Sequence, residues 1–219
     1  MQLSVLALHG WRTNKEMLAF QMTSLTSSLK EMDISLDLHI LNAPRVASGP
    51  PDTSITAFFG QQQTFEWWDF KVREKDVYIY DGIEDTIQYI EEYISSNGPF
   101  DLLLGFSQGS TLAGILNALY ATKKCKDFPW KAVLHCSGAL SREPFYKEMI
   151  LNSSPINIPS MFLLGDSDYL LTNAEELSTT YDRQYQTIFR FKGGHKFPNK
   201  SCFDYKMLSK KIIEVCCTR

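Results

Sequence analysis

The sequence predicts an α/β protein: a compact parallel sheet of about six strands, helices on both faces, and an aromatic lid-like insertion. Three observations lead there. Strand-length apolar runs alternate with helical patterns, which is the signature of a parallel sheet. One run ends in Gly105-Phe106-Ser107-Gln108-Gly109 and passes directly into a helical pattern. A single aromatic-rich stretch, residues 45–75, breaks the alternation.

Apolar runs predict strands at 3–8, 34–41, 100–104, 131–136, 158–164 and 187–191. The helix ahead of the third strand starts near Asp81, which with Glu84 three residues on resembles a capping box. It continues through Ile83, Ile87, Ile90 and Ile94 and stops at Asn97-Gly98-Pro99. After the third strand, Leu112, Ile115, Leu116 and Leu119 follow helical spacing, while Gly109, Ser110, Ala113 and Gly114 keep the helix face thin for close contact with the sheet. A last helix carries Phe203, Met207, Leu208, Ile212 and Val215 on one face.

The stretch 45–75 holds Pro50-Pro51, three consecutive glutamines and Phe58, Phe59, Phe65, Trp67, Trp68 and Phe70. Long connections without periodicity are functional or disordered, and disordered segments are poor in aromatics. The expectation is a partly ordered lid within one domain spanning 1–219, with Phe58, Phe59, Trp67 and Trp68 lining a hydrophobic substrate cleft.

Chance alone places a G-x-S-x-G in a chain of this length roughly once in fifteen cases, so the setting carries the weight. Strand, sharp turn and helix are what a nucleophile elbow requires, with glycines where a Cβ would collide. A serine hydroxyl needs a base and an orienting carboxylate. The run 161–164 leads into Gly165-Asp166-Ser167-Asp168, and the strand 187–191 into Gly193-Gly194-His195. The order Ser…Asp…His is that of an α/β-hydrolase sheet. All three loops leave strand C-terminal ends, where such sheets bind ligands. The G-x-x-D spacing selects Asp168 and leaves Asp166 as a turn residue. The first strand closes at Leu8-His9-Gly10-Trp11, where the second oxyanion-hole N–H originates, so the backbone N–H groups of Trp11 and Gln108 are the expected donors. His9 is read as structural, His135 as buried and neutral, and His39 as a surface or sheet-packing residue.

The chain has 219 residues, 44% hydrophobic and 13% aromatic, enough for one sizeable core. Its net charge of −3 and lack of basic clusters give nothing to attract nucleic acid or anionic membrane surfaces. No apolar run is long enough to span a bilayer. Five cysteines (Cys125, Cys136, Cys202, Cys216, Cys217) without C-x-x-C spacing, and no leader-like start, suit a reducing cytoplasm. Cys136 reads as a core filler.

Leu8-His9-Gly10-Trp11, Asn14, Phe20-Gln21, Asn42-Ala43-Pro44, Tyr80-Asp81-Gly82-Ile83-Glu84, Gly98-Pro99-Phe100-Asp101, the elbow, and Gly193-Gly194-His195-Lys196-Phe197-Pro198 together resemble the FSH family of serine hydrolases over nearly the whole chain. The resemblance implies a compact α/β-hydrolase with no metal or cofactor, Ser107, Asp168 and His195 as triad, and esterase or thioesterase activity on acyl chains. Asn42 and Lys196-Phe197 depart from the family's usual residues and leave the triad untouched. The expected reaction is hydrolysis of medium to long acyl esters or thioesters through an acyl-enzyme, with a small acyl-ester or acyl-thioester as the partner. Two alternatives remain: an acyl-protein thioesterase or phospholipase-like carboxylesterase, which shares Gly-Phe-Ser-Gln-Gly, and a non-catalytic binding module on the same scaffold.

Overall fold

The computed structural model describes residues 1–73, 77–122 and 127–217. Six strands form one parallel sheet: β1 (Gln2–Leu8), β2 (Ser35–Leu41), β7 (Phe100–Phe106), β8 (Trp130–Cys136), β9 (Ser160–Gly165) and β10 (Gln186–Phe191). Their order is β10-β9-β8-β7-β1-β2. All six correspond to the expected apolar runs, with ends moved by up to two residues.

Alternation along each strand divides the core in two. Leu3, Val5 and Ala7 of β1 face one side with Leu102, Leu104, Ala132, Leu134, Met161 and Leu163. Against them pack α1 (Lys15–Gln21), α2 (Thr23–Lys30) and α8 (Tyr205–Cys217). Leu6, Leu8, Leu103, Val133, Phe162 and Leu164 face the other side. That face is covered by α4 (Ile83–Asn97), α5 (Gln108–Thr122), α6 (Pro144–Asn152) and α7 (Leu171–Thr179). Residues of period two thus feed two separate helix layers.

The chain runs from β1 outward to β2, then returns to β7 on the other side of β1. The strand order therefore reverses between β1 and β7, and the C-terminal ends of these strands flank the crevice such a reversal opens. Leu8 pairs with Gly105 at that point, which sets the loop after β1 beside the elbow.

Four sequence readings need correction. Asp81 does not cap α4: Gly82 does, in a left-handed conformation with φ 86°, and Asp81 pairs with Lys71 and Arg45. The buried face of α8 is Tyr205, Leu208, Ser209, Ile212 and Cys216. Phe203 precedes that helix, and Met207 is exposed. The insertion is ordered over 45–73 as β3 (Arg45–Val46), α3 (Thr53–Phe59), β4 (Phe65–Glu66) and β5 (Asp69–Arg73), with β5 pairing antiparallel to β6 (Val77–Asp81). Trp67 and Trp68 are buried in the main core instead of forming a loose cover. Residues 74 and 75 of the insertion, and Cys125, lie outside the described residues.

Among the described residues no helix is long and apolar enough to cross a membrane. Cys136 is buried in β8, and burial pushes its thiol well above the usual range, as a core filler requires.

Candidate active site

Ser107 sits between β7 and α5 with φ 53°, a left-handed conformation that a non-glycine residue adopts only under constraint. The constraint is steric and local. A Cβ on Gly105 would stand 2.4 Å from the Gly109 carbonyl oxygen, and one on Gly109 would stand 2.2 Å from that of Leu8. Only glycine lets α5 start this close to the sheet.

His195 Nε2 lies 2.8 Å from Ser107 Oγ, and its Nδ1 lies 3.0 Å from Asp168 Oδ1. Burial works to raise the Asp168 pKa, but the hydrogen bonds from His195 and from the Leu170 N–H hold the carboxyl below its ordinary value. An ionised Asp168 takes the Nδ1 hydrogen, so Nε2 is left to accept the Ser107 proton. Asp166 points elsewhere, toward Arg190 at 3.9 Å. Tyr169 is 77% exposed, and its ring centroid is 4.7 Å from that of His195.

The N–H groups of Trp11 and Gln108 are directed by their peptide planes. The Gly10 carbonyl accepts hydrogen bonds from His9 Nδ1 and Thr13 Oγ1, each at 2.7 Å. In a trans peptide the next N–H points the opposite way, so Trp11 N–H is turned from these partners. Likewise the Ser107 carbonyl accepts from Ser110 and Thr111 at 2.9 and 3.0 Å, which turns the Gln108 N–H out of the helix start. Among the described residues neither N–H finds an acceptor. Free backbone donors on the loops beside a serine are the kind of group that can stabilise a developing oxyanion.

His9 is wholly buried, and its Nε2 accepts the Ala43 N–H at 3.1 Å, which fixes Nδ1 as the donor. Burial lowers its pKa to about 4 despite the Gly10 bond that favours the charged form. His135 lies beneath α5 between Ser110 and Tyr181, its pKa lowered by burial to about 3. His39 pairs with Tyr93 and Asp37 on the sheet edge. These three positions match the structural roles expected of them.

The insertion is tied to the elbow by contacts no local pattern announces. Gln108 Oε1 accepts the Trp67 N–H at 3.0 Å, and Gln108 Nε2 donates to the Trp68 carbonyl at 2.8 Å. Trp67 Nε1 donates to the His9 carbonyl at 2.8 Å. Glu66, fully buried, accepts from Arg12 and from the Ser48 N–H and faces Arg45 at 3.6 Å. Asn42 Oδ1 accepts the Lys15 N–H at 2.8 Å.

A cavity of about 320 Å³ opens on Ser107, lined among others by Trp11, Trp68, Phe70, Tyr80, Tyr169 and Leu170. Of the four rings expected there, only Trp68 lines it. Trp67 is the buried anchor behind it, and Phe58 and Phe59 pack with Phe20 at 5.2 and 5.5 Å, outside the lining. Ring count alone cannot separate these fates, because each depends on partners distant in sequence. The residues that sequence reasoning missed are Tyr78, Tyr80, Arg142 and Tyr169. The alternation Val77-Tyr78-Ile79-Tyr80 and the adjacency of Tyr169 to Asp168 were the available signals. Among the described residues no group of three or more His, Cys, Asp or Glu could hold a metal ion.

A family model described as serine hydrolase (FSH1) matches residues 1–207. The human protein Esterase OVCA2 is 29% identical over 209 residues, covering 90% of this chain and 89% of that protein. Among solved structures, the Bacillus cereus carboxylesterase superposes with a TM-score of 0.60 at 12% identity, covering 98% of this chain and 89% of that one. Arabidopsis thaliana SOBER1 superposes at 0.53 with 17% identity, covering 98% and 99%. At such identities the likeness shows the fold, which is that of the α/β-hydrolases.

Proposed function

The chain belongs to the serine hydrolase (FSH1) family and is a serine esterase; on that premise we propose that it cleaves carboxylic esters or thioesters of medium-length acyl chains through an acyl-enzyme. Ser107 attacks the carbonyl carbon, and His195 Nε2 takes the hydroxyl proton. Asp168 holds the imidazole in that tautomer and stabilises the imidazolium. The N–H groups of Trp11 and Gln108 receive the carbonyl oxygen as it becomes negative. Collapse expels the alcohol or thiol, which takes the proton back from His195. Water then attacks the acyl-enzyme by the same route in reverse, releasing the acid and free Ser107.

The observation that carries this reading is the continuous chain Ser107 Oγ–His195–Asp168 at 2.8 and 3.0 Å, opening on an aromatic cavity. Its volume of about 320 Å³ sits at the lower end of ligand pockets, roughly 300–1,000 Å³, which favours medium over long acyl chains. A fluorophosphonate probe labels Ser107, and Ser107→Ala abolishes labelling and lowers ester turnover on the order of 10⁴-fold or more. Unlabelled wild-type protein overturns the reading.

A further inference from the structure

The catalytic cavity is aromatic, yet the exposed Arg142 lines it with its guanidinium 4.2 Å above the Tyr78 ring. Its backbone N–H donates to the Tyr80 hydroxyl at 2.7 Å, which pins the loop that carries it.

Arg12, Arg45 and Arg190 each pair with a carboxylate, whereas Arg142 has none within ion-pair distance among the described residues. The nearby carboxylates are engaged elsewhere: Glu143 accepts the Tyr146 N–H and Glu84 the Tyr146 hydroxyl. A second cavity of about 260 Å³ shares Arg142 and Tyr78 with the first and is lined further out by Lys147 and Glu176. A purely alkyl substrate offers this guanidinium no acceptor. A planar guanidinium held on an aromatic face is built for bidentate contact with a carboxylate.

We propose that the preferred ester carries a carboxylate several bonds from its scissile carbonyl, bound at the catalytic cavity by Arg142. This rests on the hydrolase reading above and names its substrate class. The carboxylate sits on the acyl or on the alcohol side of the ester, and the two are separable by experiment.

The test compares kcat/KM for 4-nitrophenyl hemiadipate against 4-nitrophenyl hexanoate, and for hexanoate esters of 6-hydroxyhexanoic acid against those of hexanol. The acidic member wins one of the pairs by about tenfold, and the winning pair tells which half of the ester fills the cavity. The preference weakens with added salt, as a partly exposed ion pair must. Arg142→Gln brings the ratio toward one, and Arg142→Lys retains part of it. Melting temperatures of the variants check folding. Equal or better turnover of the neutral ester in both pairs by the wild type, or an unchanged ratio in Arg142→Gln, overturns the proposal while leaving the hydrolase reading intact. Failure of the wild type to turn over any ester or to be labelled at Ser107 overturns both.

Discussion

The two halves of the insertion share an aromatic-rich composition and meet opposite fates. In the first, α3 buries no residue, and Phe58 is 67% exposed with Phe20 and Phe59 as its ring partners among the described residues. In the second, Trp67 and Trp68 are fully buried, one against His9 and the other stacked on Tyr80 with centroids 4.4 Å apart. The difference lies in polar anchors. Backbone and indole groups of 67 and 68 bond to Gln108 and to the His9 carbonyl, so the rings can enter the core without stranding their peptide groups. No such ties hold Phe58 and Phe59. The same anchors fasten the insertion to the residue that follows the nucleophile.

This contrast can be broken most strongly at Trp67. Trp67→Ala leaves a large cavity against His9 and removes the bond to its carbonyl, so unfolding free energy drops by about 3–5 kcal/mol, read from urea denaturation. A loss below about 1 kcal/mol would show that the second half is no more part of the core than the first.

Acid attacks the same region through His9. Its pKa falls from 6.5 in the unfolded chain to about 4 in the folded one, so between these values the unfolded state binds more protons. Stability is therefore full above about pH 6.5 and declines toward pH 4 by roughly 3 kcal/mol from this group. His135, lowered to about 3, adds a loss of the same sign that extends further into acid. Denaturation midpoints measured from pH 7 to pH 4 should fall, with a shallower slope in His9→Gln.

Gln108→Ala cuts two bonds to the insertion and leaves a buried N–H and carbonyl unpaired, costing about 2 kcal/mol. Its ester turnover falls as well, through loosening of Trp68 at the cavity wall, although the backbone N–H of residue 108 is retained. Unchanged kcat/KM with lowered stability would separate anchoring from catalysis. The smallest effect belongs to the exposed half. Phe58→Ser shifts stability by no more than about 0.5 kcal/mol and leaves the acyl-length profile as in the wild type. A shifted profile would bring α3 back into substrate binding.

Legibility in the sequence followed the same division. Ser107, Asp168 and His195 were readable as candidates because each follows the C-terminal end of a strand within a few residues, and the spacing of Gly105, Gly109 and Gly165 marks the turns. Hydrogen bonds unite these three residues in the fold. Asp81 was misread as a helix cap because the competing partners, Lys71 and Arg45, come from other elements. Met207 was placed on the buried face of α8 because a short helix with Tyr205, Ser209 and Cys216 inward carries a mixed pattern.

The amino-acid order by itself determined the six strands, the thin helix behind the elbow and the chain order of Ser107, Asp168 and His195. Those features depend on neighbours within a few residues, through side-chain period and the steric freedom of glycine. Tertiary structure alone decided which rings face Ser107, which histidines stay neutral and where Arg142 lies. A ring's burial and a histidine's charge are set by desolvation and by partners tens of residues away, and no local pattern encodes those distances.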